Sequence, residues 1–200
     1  MSEFEQFKIT LTTVQMLARQ IKAVVINVGG VLLDNRQCDA MPELRFRSHF
    51  DGQGISLLRA IGIKIALVFS EKAEGGSMIK NLVNRWNSLP STQKQATEGG
   101  WQMVTLIDEA YGQTAVEKTW SWLNEINVSW EECAVLANDL PELPLLEKAG
   151  LRVAHAAAEQ VIKDRCYWVT PRPGGNGAIR DLANLILKAR DIDPATLPTR

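Results

Sequence analysis

The sequence is short of the residues that most often carry metal and redox chemistry, with three cysteines and two histidines in 200 residues. Cys38, Cys133 and Cys166 are odd in number, far apart and never in Cys-x-x-Cys spacing. Neither a disulfide framework nor a zinc site is indicated, and the three are read as reduced, buried thiols. His49 and His155 have no cysteine or carboxylate at ligand spacing and are read as structural. Neither sign of charge is in excess: 22 Lys and Arg stand against 23 Asp and Glu, which leaves no electrostatic footprint for nucleic acid. No apolar run reaches the roughly 18 residues of a membrane span, so the cytoplasm is the expected location.

What is present fits one globular domain. Hydrophobic residues make up 46% and charged residues 22%, and a chain of this length buries a sizeable core. We expect a single domain over residues 1–200, with its core at about 21–190 and an irregular tail at 191–200. Val14, Leu17, Ala18 and Ile21 recur at helical spacing and lead into a β-branched run at 23–28. Further runs of strand length follow at 63–69, 133–137, 151–156 and 166–170, alternating with helical segments. That alternation predicts an α/β fold of three layers with a mainly parallel sheet. Residues 33–50 are irregular and rich in turn formers, with room for a projecting β-hairpin carrying Met41, Leu44 and Phe46. The polar stretch 88–100 reads as a surface loop. In such folds ligands bind at the carboxyl ends of the strands, which directs attention to Asn27–Gly30 and to 137–142.

Three stretches carry a resemblance. They are "TPRPGGNGAIRDLANLIL" at 170–187, "FDGQGISLLRAIGIKIALV" at 50–68 and "LLEKAGLRVAHA" at 145–156. In this order they resemble the capless phosphatases of the haloacid dehalogenase superfamily that act on 3-deoxy-manno-octulosonate 8-phosphate and related nonulosonate phosphates. The resemblance runs from about residue 21 to 190. It implies a Rossmann-like core, a Mg²⁺-dependent Asp nucleophile, an Asp acid/base and a homotetramer. A similar domain is appended to animal cytidine monophosphate–sialic acid synthetases, where it promotes oligomerisation without being a competent phosphatase.

Laid on the family's motifs, the chain departs at the positions that matter. Asn27 stands for the nucleophile and Gly29 for the acid/base. Phe69 stands for the phosphoryl-holding Thr or Ser, with Ser70 beside it. Ala115 stands for the lysine, with Lys118 one turn along. Asn138 stands for a metal-ligating Asp, followed by Asp139. By the resemblance, the positions that could still touch a ligand are Asn27, Gly30, Ser70, Lys118, Gly174, Gly175 and Asn176, and those nearest a metal are Asn27, Gly29, Asn138 and Asp139. Gly174, Gly175 and Gly177 precede a helix, so they form either an anion site or a structural turn. Arg180 is read as an intrachain ion pair, and Trp120, Trp122 and Trp130 as a helix edge or subunit interface. Gly29-Gly30 is equally accounted for by a strand-to-loop turn.

The chemistry then decides between readings. A carboxamide is not a nucleophile here, and losing the nucleophile costs on the order of 10⁶ in kcat. Losing the general acid/base removes about another 10²–10⁴ where the effects separate. The expected function is a catalytically inactive phosphatase relative, a binding or assembly module for a protein partner or a sugar acid, with no cofactor. The alternative is a weak or re-specialised phosphatase that uses Mg²⁺ and puts Asp34, Asp139 or Glu142 in displaced roles.

Overall fold

A computed structural model describes residues 10–198 apart from 37, 41–43, 72–76 and 95–98. Six strands form one sheet: β1 (Ala23–Asn27), β2 (Lys64–Val68), β3 (Val104–Ile107), β4 (Cys133–Ala137), β5 (Leu151–His155) and β6 (Trp168–Thr170). Every pairing is parallel, in the order β3-β2-β1-β4-β5-β6. The period of two along β1 explains the layering: Val24 and Ile26 face one core, Ala23 and Val25 the other. The first face is covered by α1 (Leu11–Gln20), α2 (His49–Ala60), α3 (Met78–Asn87) and α8 (Ala178–Ala189). The second is covered by α5 (Gln113–Glu125), α6 (Leu143–Leu146) and α7 (Gln160–Lys163). This is the expected three-layer, Rossmann-like parallel fold. Its chain order reverses between β1 and β4, where a crevice opens at the carboxyl ends.

Some expectations need correction. A sixth strand, β3, follows the exposed Met103; it is four residues long and only its two ends are buried, so it leaves no apolar run to read. The polar stretch 88–100 holds a helical turn, α4 (Pro90–Gln93), rather than loop throughout. It is pinned from below by Arg59 of α2, which donates to Thr92 Oγ1 at 2.6 Å, to Gln102 O at 2.5 Å and to Trp86 O at 3.3 Å. The tail gains a 3₁₀ turn at Pro194–Thr196. The projecting hairpin is not formed among the described residues of 33–48. The segment leaves and returns with a single rung, Asp34 N–H donating to Phe46 O at 3.0 Å, and the Asp34–Arg36 ion pair closes on itself where a ladder would need extended backbone. Met41 lies outside the described residues.

Candidate functional site

The end of β1 passes into a wide turn because Gly30 takes φ +80°, a conformation that suits glycine, while Gly29 stays at φ −72°. A side chain at Gly30 would strike the Asn138 carboxamide, and one at Gly174 would come within 1.8 Å of Gly30 O. The β1 turn and the loop after β6 are therefore packed backbone to backbone, and the Asn138 carboxamide after β4 closes on the same turn. Gly175 N–H donating to Val31 O at 2.7 Å holds them together.

The turn forms the floor of a cleft of about 500 Å³. Asn27, Gly29, Gly30, Phe69, Ser70 and Ala115 all line it, so the sequence positions taken from both early motifs and from α5 do converge. Lys118 does not: it lies outside the cleft wall, and its amine reaches back along α5 to donate to Asp108 O at 2.7 Å. The lysine's charge is thus not recovered one turn along. Phe69 holds its place through its backbone, donating to Ile107 O and accepting from Ala110 N–H, and Ser70 beside it is exposed.

Asn27 Nδ2 donates to Gly29 O at 2.6 Å and to Asn138 Oδ1 at 3.0 Å. With its amide turned end for end, Asn138 instead donates to Gly29 O at 3.0 Å and to Glu142 Oε2 at 3.1 Å. This second arrangement removes its oxygen from two facing acceptors. In either orientation Asn138 is hydrogen-bonded to the β1 side. Glu142 also accepts from the backbone N–H of Asn138 at 3.2 Å and of Asp139 at 2.9 Å. Burial outweighs those bonds and pushes its carboxyl above the ordinary range. Asp139 caps the following 3₁₀ turn by accepting from Leu140 N–H at 2.7 Å. Glu142 and Asp139 therefore each hold their own turn.

A second cleft of about 530 Å³ lies across the Gly30–Asn138 wall and takes in Asp139, Gly174, Gly175 and Asn176. The anion reading of this glycine-rich turn is corrected. The first-turn donors of α8 are already filled by Asp51 of α2, whose carboxylate accepts from Gly177 and Ile179 N–H at 2.9 Å each. Arg180 donates to Asn184 Oδ1 at 3.0 Å, so the expected ion pair is instead a hydrogen bond to an amide one turn along α8. His155 is buried, its Nδ1 accepting from Ala157 N–H, and desolvation lowers its pKa, so it stands neutral as a core residue. Burial pushes the Cys133 and Cys166 thiols up, consistent with inert cysteines. Trp122 is buried and Trp120 stacks on Trp130 with ring centroids 6.0 Å apart.

Sequence reasoning missed Arg36 and Arg45, which line the main cleft from the segment between β1 and α2. Arg36 pairs with Asp34 at 2.7 Å, and Arg45 donates to Leu44 O at 3.1 Å. The only signal was three arginines in a stretch with no period. A hard divalent cation calls for convergent oxygens, several of them carboxylate. Here two carboxamides present N–H groups, Gly29 O is already accepting, and Glu142 and Asp139 are engaged. This donor set does not fit Mg²⁺.

No family model matches the chain. It is 26% identical over 181 residues to the 3-deoxy-D-manno-octulosonate 8-phosphate phosphatase of Salmonella typhi, covering 90% of this chain and 86% of the relative. The crystal structure of that phosphatase from Yersinia pestis matches with a TM-score of 0.72 and 25% identity, over 92% of this chain and 89% of the other. The enzyme of Moraxella catarrhalis, solved with magnesium, phosphate and 3-deoxy-D-manno-octulosonate, shares the fold at a TM-score of 0.72 and 22% identity, over 91% and 94% of the two chains. In sequence and in structure the chain is similar to the 3-deoxy-manno-octulosonate 8-phosphate phosphatases, and its fold is the Rossmann-like core of the haloacid dehalogenase superfamily hydrolases it matches.

Proposed function

We propose that this chain is a phosphatase-derived binding module that takes up a sugar acid or its phosphate in the cleft without hydrolysing it. One observation carries the reading: the floor has a neutral, mutually hydrogen-bonded set, Asn27, Gly29 and Asn138, where the family's chemistry calls for a nucleophile, an acid/base and a metal ligand. The size of the cleft and the two arginines on its wall suit an anionic ligand of that class. The test pairs two measurements on the purified protein, phosphate release from 3-deoxy-manno-octulosonate 8-phosphate with Mg²⁺, and calorimetric titration of the same ester in EDTA. Saturable heat with no phosphate release is expected. Robust release that disappears in Asn27→Ala overturns the reading.

The second reading is a slow or re-specialised phosphatase. It is favoured by relatives that carry that activity over nearly the whole chain, and by Glu142, a half-buried carboxyl on the cleft wall whose raised pKa suits proton donation. Turnover that falls at least about tenfold in Glu142→Gln, with the fold intact, would support it. The module reading also includes assembly into a homotetramer. Phe46 and Phe50, 53% and 60% exposed, flank the segment between β1 and α2 and are offered as contact residues. Light scattering that finds a monomer at micromolar concentration removes that part.

A further inference from the structure

We infer that the cleft floor works without a divalent cation, and that the Asn27–Asn138 carboxamides, not an ion, tie the end of β1 to the end of β4. The inference stands on the donor geometry and holds whatever ligand the cleft takes.

Three observations lead to it. The Asn27 amide nitrogen, not its oxygen, is turned to the centre of the floor, where it is 2.6 Å from Gly29 O and 3.0 Å from Asn138. An ion placed there would face N–H groups, and turning both amides around would break the bonds that close the floor. Glu142 and Asp139 are committed as well, whereas Asp34 gives Oδ2 to Arg36 and keeps a buried Oδ1 without a partner, a single oxygen where a hard cation calls for several carboxylates. Glu142 Oε2 accepts from two part-buried backbone N–H groups, and Asp139 Oδ1 accepts from the exposed Leu140 N–H, so recruiting Glu142 would leave two part-buried donors unpaired and recruiting Asp139 would uncap the turn. Finally, crowding does not account for the change. A Cβ at Gly29 would meet nothing within 4 Å, so the floor has room for a carboxylate that the sequence does not place there.

The tie has a structural logic. Two adjacent parallel strands end at the crevice, and the groups beyond their last ladder bonds need something to hold them in register. In an ion site the cation does this by drawing carboxylates together, and without it the carboxylates repel. The carboxamides are neutral, and in either orientation of the Asn138 amide an N–H group donates across the gap, to Asn138 Oδ1 or to Gly29 O, so they close it at any metal concentration.

The experiment uses Mg²⁺ and Co²⁺ alone, with no sugar or phosphate. For the wild-type chain we expect no saturable heat on titration. The thermal midpoint in about 10 mM metal should lie within about 1 °C of that in EDTA, as mass action requires when nothing binds. Asn138→Ala should lower the midpoint equally with and without metal. Asn27→Asp/Asn138→Asp should melt earlier in EDTA, because two carboxylates then face Gly29 O and Glu142. With Mg²⁺ at about 100 times its dissociation constant, that variant should regain about 5–10 °C. Saturable metal binding by the wild type that is lost in Asn138→Ala overturns the inference. So does a folded double-aspartate variant that ignores Mg²⁺. If the double variant does not fold, the wild-type and Asn138→Ala titrations decide alone. Phosphate release in EDTA would overturn the non-catalytic reading above and leave this inference standing.

Discussion

Replacing Asp51 by alanine should loosen α8 from α2, and the size of the effect can be worked from the structure. The residue sits in the first turn of α2, fully buried, and accepts from Gly177 N–H at 2.9 Å, Ile179 N–H at 2.9 Å and Arg180 N–H at 3.4 Å. It thus caps a helix more than a hundred residues away. Two short bonds to a charged acceptor contribute about 1.5–3 kcal/mol each, and the cost of burying the carboxylate offsets part of the sum. A net loss of about 3 kcal/mol is expected, which for a chain of this size lowers the midpoint by roughly 6–12 °C. The pH dependence sharpens the test. Burial raises the Asp51 carboxyl above its ordinary 3.8, although the three N–H groups and Arg172 pull it down. The folded protein then binds this proton more tightly than the unfolded chain. The group's stabilisation is fully present below about 3.8 and is lost as pH rises through the folded value. Asp51→Asn has no such titration. Melts of wild type and Asp51→Asn across this window, in urea or by heat, should show a gap that narrows as pH rises. A gap that widens would mean that the backbone donors and the helix end outweigh burial, and would refute the reasoning.

Three further outcomes follow from the site and its supports. Gly174→Ala should destabilise severely, since the new methyl would lie 1.8 Å from Gly30 O, whereas Gly29→Ala should shift the midpoint little; parallel thermal melts compare them. Arg59→Met should cost about 2–4 kcal/mol in urea unfolding, because the Trp86 and Gln102 carbonyls lose their buried donor; that guanidinium, over the Trp101 ring, has a pKa lowered to about 10 by desolvation. Asn27→Asp/Gly29→Asp should gain little activity. Adding Ala115→Lys and Asn138→Asp should bring Mg²⁺-dependent hydrolysis of an aryl phosphate, because phosphoryl transfer depends on charge neutralisation as much as on the nucleophile. Equal rates in the double and quadruple variants would show that positions 115 and 138 are wrongly assigned.

Most of the architecture was legible because buried parallel strands write continuous apolar runs, as at β1 and β4, and α1 writes a helical period. The short edge strand β3 escaped for the opposite reason, its middle two residues being only half-buried. At the site, the spacing of the sequence motifs directed attention to Asn27, Gly29 and Asn138, which the structure brings together at the floor of the cleft. Lys118 misled because helical spacing gives a face but not a destination: its amine found the Asp108 carbonyl. Asp51, Arg36 and Arg59 were invisible as functional groups, since what they do is set by neighbours remote in the chain or by a loop without periodicity. The glycines of 174–177 looked like an anion cradle, and only the fold reveals that an internal carboxylate had already filled it.

The contact between Gly174 and Gly30 carries a consequence for how such a site evolves. Where Gly174 meets Gly30 the floor is braced by backbone against backbone, and that contact does not depend on which side chains stand at 27, 29 or 138. A preorganised cavity of this kind asks for no loop ordering when a ligand arrives. The scaffold and the reactive groups are thus separable traits. Point substitutions at 27 and 29 can change the chemistry of the floor while the backbone contact beneath it stays in place.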